Sequence, residues 1–203
     1  MNAFMEDNAV KEAIKDTNNK GFIKKYLPFV WEVVKIMIVA AAIVLPVRYF
    51  LFQPFIVKGE SMVPNFHSGD YLIVNEIFYK ISNPKRGDVV VLKYPFDLKQ
   101  RFIKRIIGLP GETVVVKDGK ITISSDGKSV LLDEEKYLSN IKSTDGNVNV
   151  NLGADEYFVL GDNRPSSYDS RRWGILPKED IIGRAMMRIY PFTNMSYIAT
   201  PSY

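Results

Sequence analysis

The longest apolar stretch of the chain, Tyr26–Val57, precedes a region in which apolar and polar positions alternate. Its charge-free centre, Ile36–Val47, has about 12 residues, and extension towards the N-terminus gives roughly 21, enough for a helix that crosses a bilayer. This extension includes Glu32 and Lys35, whose spacing allows them to pair on one helix face. The pattern therefore predicts a single transmembrane helix over residues 26–49.

Positive charge collects on one side of this segment, at Lys20, Lys24 and Lys25. Because basic residues stay on the cytoplasmic side, residues 1–25 are predicted to be a cytosolic tail, although Arg48 at the far end weakens the asymmetry. We therefore expect a single-pass protein of the cell membrane with its main domain on the extracytoplasmic side. A cleaved signal peptide and a buried core helix are the alternatives.

After the anchor, short runs rich in β-branched and aromatic residues are separated by Gly and Pro, and no long helical period follows. The runs are Tyr71–Phe78, Asp88–Tyr94, Arg101–Gly108, Glu112–Ile123, Glu156–Gly161 and Asp180–Tyr190. Asp118-Gly119 is a hairpin-turn signal within the fourth run. The pattern predicts an all-β domain, sandwich-like or barrel-like, made of many short strands.

The polar stretch 119–152 interrupts this domain and predicts a small β insertion remote from any chemistry. The main β domain would then comprise residues 50–118 and 153–203.

Composition narrows the function classes. The chain has 203 residues, 46% apolar and 25% charged, which is typical of a globular protein. The net charge of +4 is mild and acidic residues are interspersed with basic ones, so no nucleic-acid partner is expected. The absence of cysteine excludes disulfides and thiolate metal sites.

Without cysteine, a covalent nucleophile would be Ser, Thr, Lys or a carboxylate. Ser61 lies in the stretch "KGESMVPNFHSGDY", which also contains the chain's only histidine, His67. That histidine occupies a turn entering a strand, so an exposed or capping role explains it more simply than a role as base. Asp162, Asp169 and Asp180 lack the spacing of metal ligands. We expect no metal and no cofactor.

Lysine is the remaining candidate base. Side chains alternate along a strand, so Lys104 shares one face with Phe102 and Ile106. An amine on an apolar face is desolvated and more easily neutral, as a base must be. The alternative is a lysine that reaches solvent from a partly exposed sheet.

A third stretch, "GDNRPSSYDSRRWGILP" (Gly161–Pro177), is rich in hydrogen-bonding side chains. It is either a surface loop with Asx turns or a scaffold that holds a buried amine.

Together these stretches resemble the type I signal peptidases, membrane-bound serine endopeptidases with a Ser-Lys dyad. The matching motifs are "GESMVPN" (Gly59–Asn65), "FIKRIIGLPGE" (Phe102–Glu112) and "GDNRPSSYDSRRWG" (Gly161–Gly174). Their order, their spacing and the preceding anchor match the family.

The resemblance implies that Ser61 is the nucleophile and Lys104 the general base. It also implies that the Ser61 backbone N–H is an oxyanion donor. Ser167 would hydrogen-bond the lysine, and Asp169 and Arg171 would form a supporting ion pair.

The substrates implied are preprotein signal peptides, cut after small residues at the first and third positions before the bond (Ala-x-Ala type). They would bind extended along a strand edge. Met62, Pro64 and Ile103 are the expected substrate-binding residues. The apolar stretch Tyr49–Val57 is expected at the surface of the phospholipid bilayer.

Three features depart from the family pattern. Asn65 replaces the usual Thr, Pro165-Ser166 replaces the common Asp-Asn, and the insertion after Gly119 is short, as in relatives with one membrane span. In addition, Gly59 cannot supply the hydroxyl donor that some relatives carry. Two other functions stay open. A self-cleaving repressor-type protease also uses Ser-Lys but lacks an anchor, and a membrane-tethered β module would have no enzymatic activity.

Overall fold

The computed structural model describes residues 26–45, 53–135, 137–138 and 143–201. The chain divides into two units, of which the first holds the N-terminal helix and the second holds the strands.

Helix α1 (Tyr26–Leu45) has 20 residues and is long and apolar enough to cross a membrane. None of its most apolar window is buried, which contradicts the alternative of a buried core helix. Lys35 Nζ lies 2.9 Å from Glu32 Oε1, so the predicted pair within the helix is formed. The predicted tail 1–25 and the last predicted helical residues, 46–49, lie outside the described residues.

The second unit is mostly β-strand, which confirms the predicted fold class. Its strands are β1 (Gln53–Ile56), β2 (Tyr71–Asn75), β3 (Val89–Tyr94), β4 (Asp97–Gly108), β5 (Thr113–Lys117), β6 (Lys120–Ser125), β7 (Lys128–Leu131), β8 (Val148–Asn151), β9 (Glu156–Leu160), β10 (Leu176–Pro177), β11 (Ile181–Tyr190) and β12 (Ser196–Tyr197). Between the strands, the described residues form two α-helices of four residues each, α2 (Phe78–Ile81) and α3 (Ser170–Trp173), and three short 3-10 helices.

The strands form two sheets, and neighbouring strands in the described residues pair antiparallel. The eight-stranded main sheet has the order β1-β2-β11-β3-β4-β9-β10, with β12 paired to β11. The four-stranded small sheet has the order β7-β6-β5-β8. Strands β3 and β4 lie inside the main sheet, which explains why Val89–Leu92 and Ile103–Gly108 are buried on both faces.

The predicted boundaries of the insertion need correction. The small sheet begins at Thr113 rather than at residue 119, because β5 and β6 form a hairpin across Asp118-Gly119 and pair within one sheet. The predicted strand Tyr71–Phe78 is also too long, since Phe78 begins helix α2.

Three apolar clusters fill the core, and they follow the predicted alternation along β4. Ile103 packs with Met62 and Val57 in one cluster, whereas Ile106 packs with Tyr157 on the other side. A third cluster lies under the small sheet. The interior residues of β4 therefore contact apolar side chains on both faces.

Candidate active site

Ser61 lies in the loop between β1 and β2. Two backbone hydrogen bonds close the base of this loop, from Val57 N–H to Asp70 O and from Gly69 N–H to Val57 O, each 2.9 Å long. Met62 is fully buried and fastens the loop to the core. The loop is therefore held at its base and beside Ser61, while Ser61 itself stays half-exposed.

Lys104 projects from the interior of β4 to the same point. Its Nζ donates a hydrogen bond of 2.8 Å to Ser61 Oγ. Only 3% of Lys104 is exposed, and the ring of Phe102 lies 5.3 Å from Nζ. The alternative of a lysine that reaches solvent is therefore wrong, because the side chain is buried and lies against an aromatic ring.

The surroundings of Lys104 favour its neutral form. Burial lowers the pKa of Lys104 from 10.5 to about 8, because the charged amine loses its hydration. Asp169 and Asp162 raise this pKa through attraction of the cation, and Arg171 lowers it through repulsion. Once Nζ is neutral, the same short contact lets the Ser61 hydroxyl donate its proton to the amine. The pair has the geometry of a nucleophile with its base.

The Asp169–Arg171 ion pair predicted from the resemblance is present. Arg171 Nε lies 2.8 Å from Asp169 Oδ1, and Asp169 is fully buried. Asp169 also caps helix α3 and accepts a hydrogen bond of 3.1 Å from Gly161 N–H. One carboxylate thus joins the end of β9 to the loop that follows it, and this fixes the loop beside Lys104.

Ser167 does not make the hydrogen bond to Lys104 that the resemblance implied. Its buried Oγ has no partner among the described residues. Ser167 Oγ lies against Gly161 instead, where an added Cβ would be 2.2 Å from Ser167 Oγ and 2.4 Å from Ser61 O. Ser167 therefore packs against the bare backbone of Gly161, while Lys104 points to Ser61 Oγ.

A second buried ion pair was not predicted from the sequence. Arg105 donates two hydrogen bonds to Asp162, at 2.8 and 2.6 Å, and Asn65 donates a third at 2.7 Å. Arg105 is only 4% exposed and Asp162 is fully buried. Arg105 follows Lys104 and lies on the opposite face of the strand. A charged residue on each face of a strand that reads as buried was the sequence feature that could have predicted a partner for Arg105.

The segment between β7 and β8, which belongs to the predicted insertion, contacts the loop after β9 and strand β4. Glu134, which follows β7, forms an ion pair with the buried Arg164, which also bonds Thr144. Tyr137 stacks its ring 4.3 Å from the guanidinium of Arg105. None of these contacts reaches Ser61 or Lys104, but they support the loop that carries Asp162 and Asp169.

The other candidate residues occupy different environments. Met62 and Ile103 are buried beneath Ser61, whereas Pro64 is exposed on the loop. Substrate contact stays a prediction for all three. His67 is exposed, and its backbone N–H donates to Asp70. Among the described residues, no group of three or more His, Asp or Glu side chains is arranged to hold a metal ion.

Known proteins resemble this chain in sequence over most of its length. The family described as "Signal peptidase, peptidase S26" matches residues 30–190. Signal peptidase I T of Bacillus subtilis (strain 168) is 37% identical over 191 residues, which cover 89% of this chain and 96% of that protein. Signal peptidase I of Bacillus amyloliquefaciens is 37% identical over 91% of this chain and 97% of that protein. A crystal structure of a signal peptidase I from Enterococcus faecalis V583 is 31% identical and covers 52% of this chain and 98% of that one, with a TM-score of 0.43.

Proposed function

Because the chain belongs to the signal peptidase I family, peptidase S26, we propose that it cleaves exported preproteins with Ser61 as nucleophile and Lys104 as general base. It is a serine endopeptidase that removes signal peptides, and its N-terminal helix is compatible with anchoring in a membrane. Membership of this family argues against a self-cleaving repressor and against a module without enzymatic activity.

The observation that carries the proposal is the 2.8 Å contact between Lys104 Nζ and Ser61 Oγ at a buried amine. In the first step, Ser61 Oγ attacks the scissile carbonyl carbon and its proton passes to neutral Nζ. The C–N bond then breaks and Lys104 returns the proton to the leaving amine. The signal peptide remains as an ester on Ser61.

Water completes the reaction. Lys104, again neutral, takes a proton from a water molecule that attacks the ester, and the departing Ser61 oxygen recovers its proton. In both steps negative charge develops on the carbonyl oxygen, which the Ser61 backbone N–H would stabilise. Gly59 has no side chain to add a second donor from the position used in some relatives.

Asp169 and Arg171 act in this proposal as the support of the base. Their ion pair fixes the loop after β9, whose residues pack beside Lys104 and Ser61. Ser167 contributes packing against Gly161 rather than proton transfer.

The substrate would bind as an added strand. In the described part of the chain, β1 is an edge of the main sheet, and β4 pairs with β9 only from Arg105 onward. Main-chain groups on both sides of the Ser61 loop are therefore available to an extended peptide. We propose that Met62, Pro64 and Ile103 border the pockets for its side chains and restrict them to small residues.

The purified protein in detergent micelles tests this function directly. A preprotein with Ala at the first and third positions before the bond should be cut once, after the first Ala, as mass spectrometry of the products would record. Leu at the first position should lower kcat/KM at least about tenfold, because one misfit apolar group is worth 1–3 kcal/mol. Cleavage at other bonds, or equal rates for both substrates, would refute the proposed specificity.

The membrane topology is a further part of the proposal. Lys20, Lys24 and Lys25 favour a cytosolic tail 1–25, so the β domain should face the outside. Protease added to intact cells should degrade the β domain and leave a cytosolic marker untouched. If the domain is degraded only after the membrane is ruptured, the topology is reversed.

A further inference from the structure

One residue holds both peptide units that flank Ser61. The Asn163 backbone N–H donates a hydrogen bond of 2.9 Å to Ser61 O. Its side-chain Nδ2 donates a second, of 3.0 Å, to Glu60 O. Asn163 lies within the third motif, but neither the sequence nor the resemblance gave it a role.

The second of these bonds determines the direction of the Ser61 N–H. Glu60 C=O and Ser61 N–H belong to the same planar peptide unit and point to opposite sides of the chain. A donor that fixes the carbonyl therefore fixes the N–H. None of the described residues accepts a hydrogen bond from Ser61 N–H. This N–H is free to stabilise the developing oxyanion, and its orientation decides how well it does so.

The loop alone gives this peptide unit little other support. Glu60 O also accepts from Val63 N–H, but that bond is longer, at 3.3 Å. Gly59, just before, has a φ of +86°, which glycine adopts freely, and both Gly59 and Glu60 are exposed. Rotation of the Glu60–Ser61 unit is therefore opposed mainly by Asn163.

Asn163 is itself firmly positioned, because its two neighbours are buried and charge-paired. Asp162 is held by Arg105, and Arg164 Nε donates a hydrogen bond of 2.9 Å to Gly161 O. Because Asp162 and Arg164 are both held in place, the side-chain amide of Asn163 is already positioned against the Ser61 loop.

We propose that Asn163 is a positioning residue that aims the Ser61 backbone N–H at the oxyanion of the tetrahedral intermediate. This proposal rests on the proposed function of Ser61 and Lys104. It predicts that loss of the Asn163 side-chain donor weakens transition-state binding while ground-state binding of the substrate and the titration of Lys104 are unchanged.

The test is Asn163→Leu, which keeps the branched shape and removes the donor, while the backbone bond to Ser61 O remains. We expect kcat to fall about 10- to 100-fold with KM unchanged, somewhat less than complete loss of an oxyanion donor costs. The affinity for a peptide aldehyde, which forms a tetrahedral adduct with the serine, should fall by a similar factor. The midpoint of the pH–rate limb should stay where it is in the wild type.

Asn149→Leu is the matched control, since Asn149 is exposed on β8 and should retain wild-type kinetics. The melting temperature of each variant shows whether it is folded, and Asn163→Ala is a second variant without the side-chain donor in case Asn163→Leu does not fold. The inference is overturned if a folded Asn163 variant keeps kcat within about threefold. It is also overturned if only KM or only the pH midpoint changes. Absence of cleavage by the wild type, or cleavage by Ser61→Ala, would instead refute the proposed function.

Discussion

Ser61→Ala and Lys104→Arg are each expected to lower preprotein cleavage by at least roughly 10²–10⁴-fold, the contribution of a positioned general base. Alanine removes the oxygen that attacks the carbonyl. Arginine keeps the positive charge at residue 104 but cannot lose its proton near neutral pH, so Ser61 would have no base. The measurement is the initial rate of cleavage of one preprotein by each purified variant.

Two further variants show whether activity is lost because the base is missing or because the protein is unfolded. Lys99→Arg makes the same substitution at an exposed position of β4 and should cleave at the wild-type rate. Lys104→Met keeps the length of the side chain without a buried charge. It should be inactive while its free energy of unfolding is no lower than that of the wild type. Normal cleavage by Lys104→Arg would show that another group takes the Ser61 proton.

Asp162→Ala is expected to reduce the free energy of unfolding by about 3–5 kcal/mol, the cost of breaking a buried ion pair from one side. The substitution leaves the guanidinium of Arg105 buried without its carboxylate, and Asn65 loses an acceptor. Chemical denaturation of the purified protein measures the loss. Cleavage should fall as well, since Asp162 is adjacent to the residue that holds the Ser61 loop.

The control for this prediction is Asp155→Ala, which removes an exposed carboxylate and should change stability by less than about 0.5 kcal/mol. A double-mutant cycle with Arg105→Ala isolates the pair. The double variant should lose less than the sum of the two single variants, because neither partner is then left alone. Strict additivity would mean that the two charges do not stabilise each other.

Local patterns were sufficient to identify Lys104 as a candidate base, but not to pair it with Ser61. Alternation along β4 put the amine on an apolar face with Phe102 and Ile106, and the structure buries it there. The resemblance supplied the partner, because the distance along the chain between Ser61 and Lys104 carries no information about their separation in space. The apolar helix was recognisable from length and apolarity alone.

Contacts between distant segments were not predictable from one sequence. The Arg105–Asp162 pair and the Glu134–Arg164 pair each join stretches with no shared periodicity, so only the tertiary structure brings them together. The insertion was predicted to begin at residue 119, inside the hairpin of β5 and β6. The composition changes at this turn, whereas the hydrogen bonds of the small sheet join the strands on both sides of it. Ser167 was assigned a bond that depends on the side-chain direction, which a motif does not specify.

The central claim, that Lys104 is the base for Ser61, is tested most directly by the pH dependence of kcat/KM for wild type and His67→Ala. Burial lowers the pKa of Lys104 to about 8, and only the neutral amine accepts the proton. Activity should therefore rise with pH through about 8 in both proteins, with equal midpoints. A rising limb near pH 6.5 that disappears in His67→Ala would contradict the account, because 6.5 is the usual pKa of histidine.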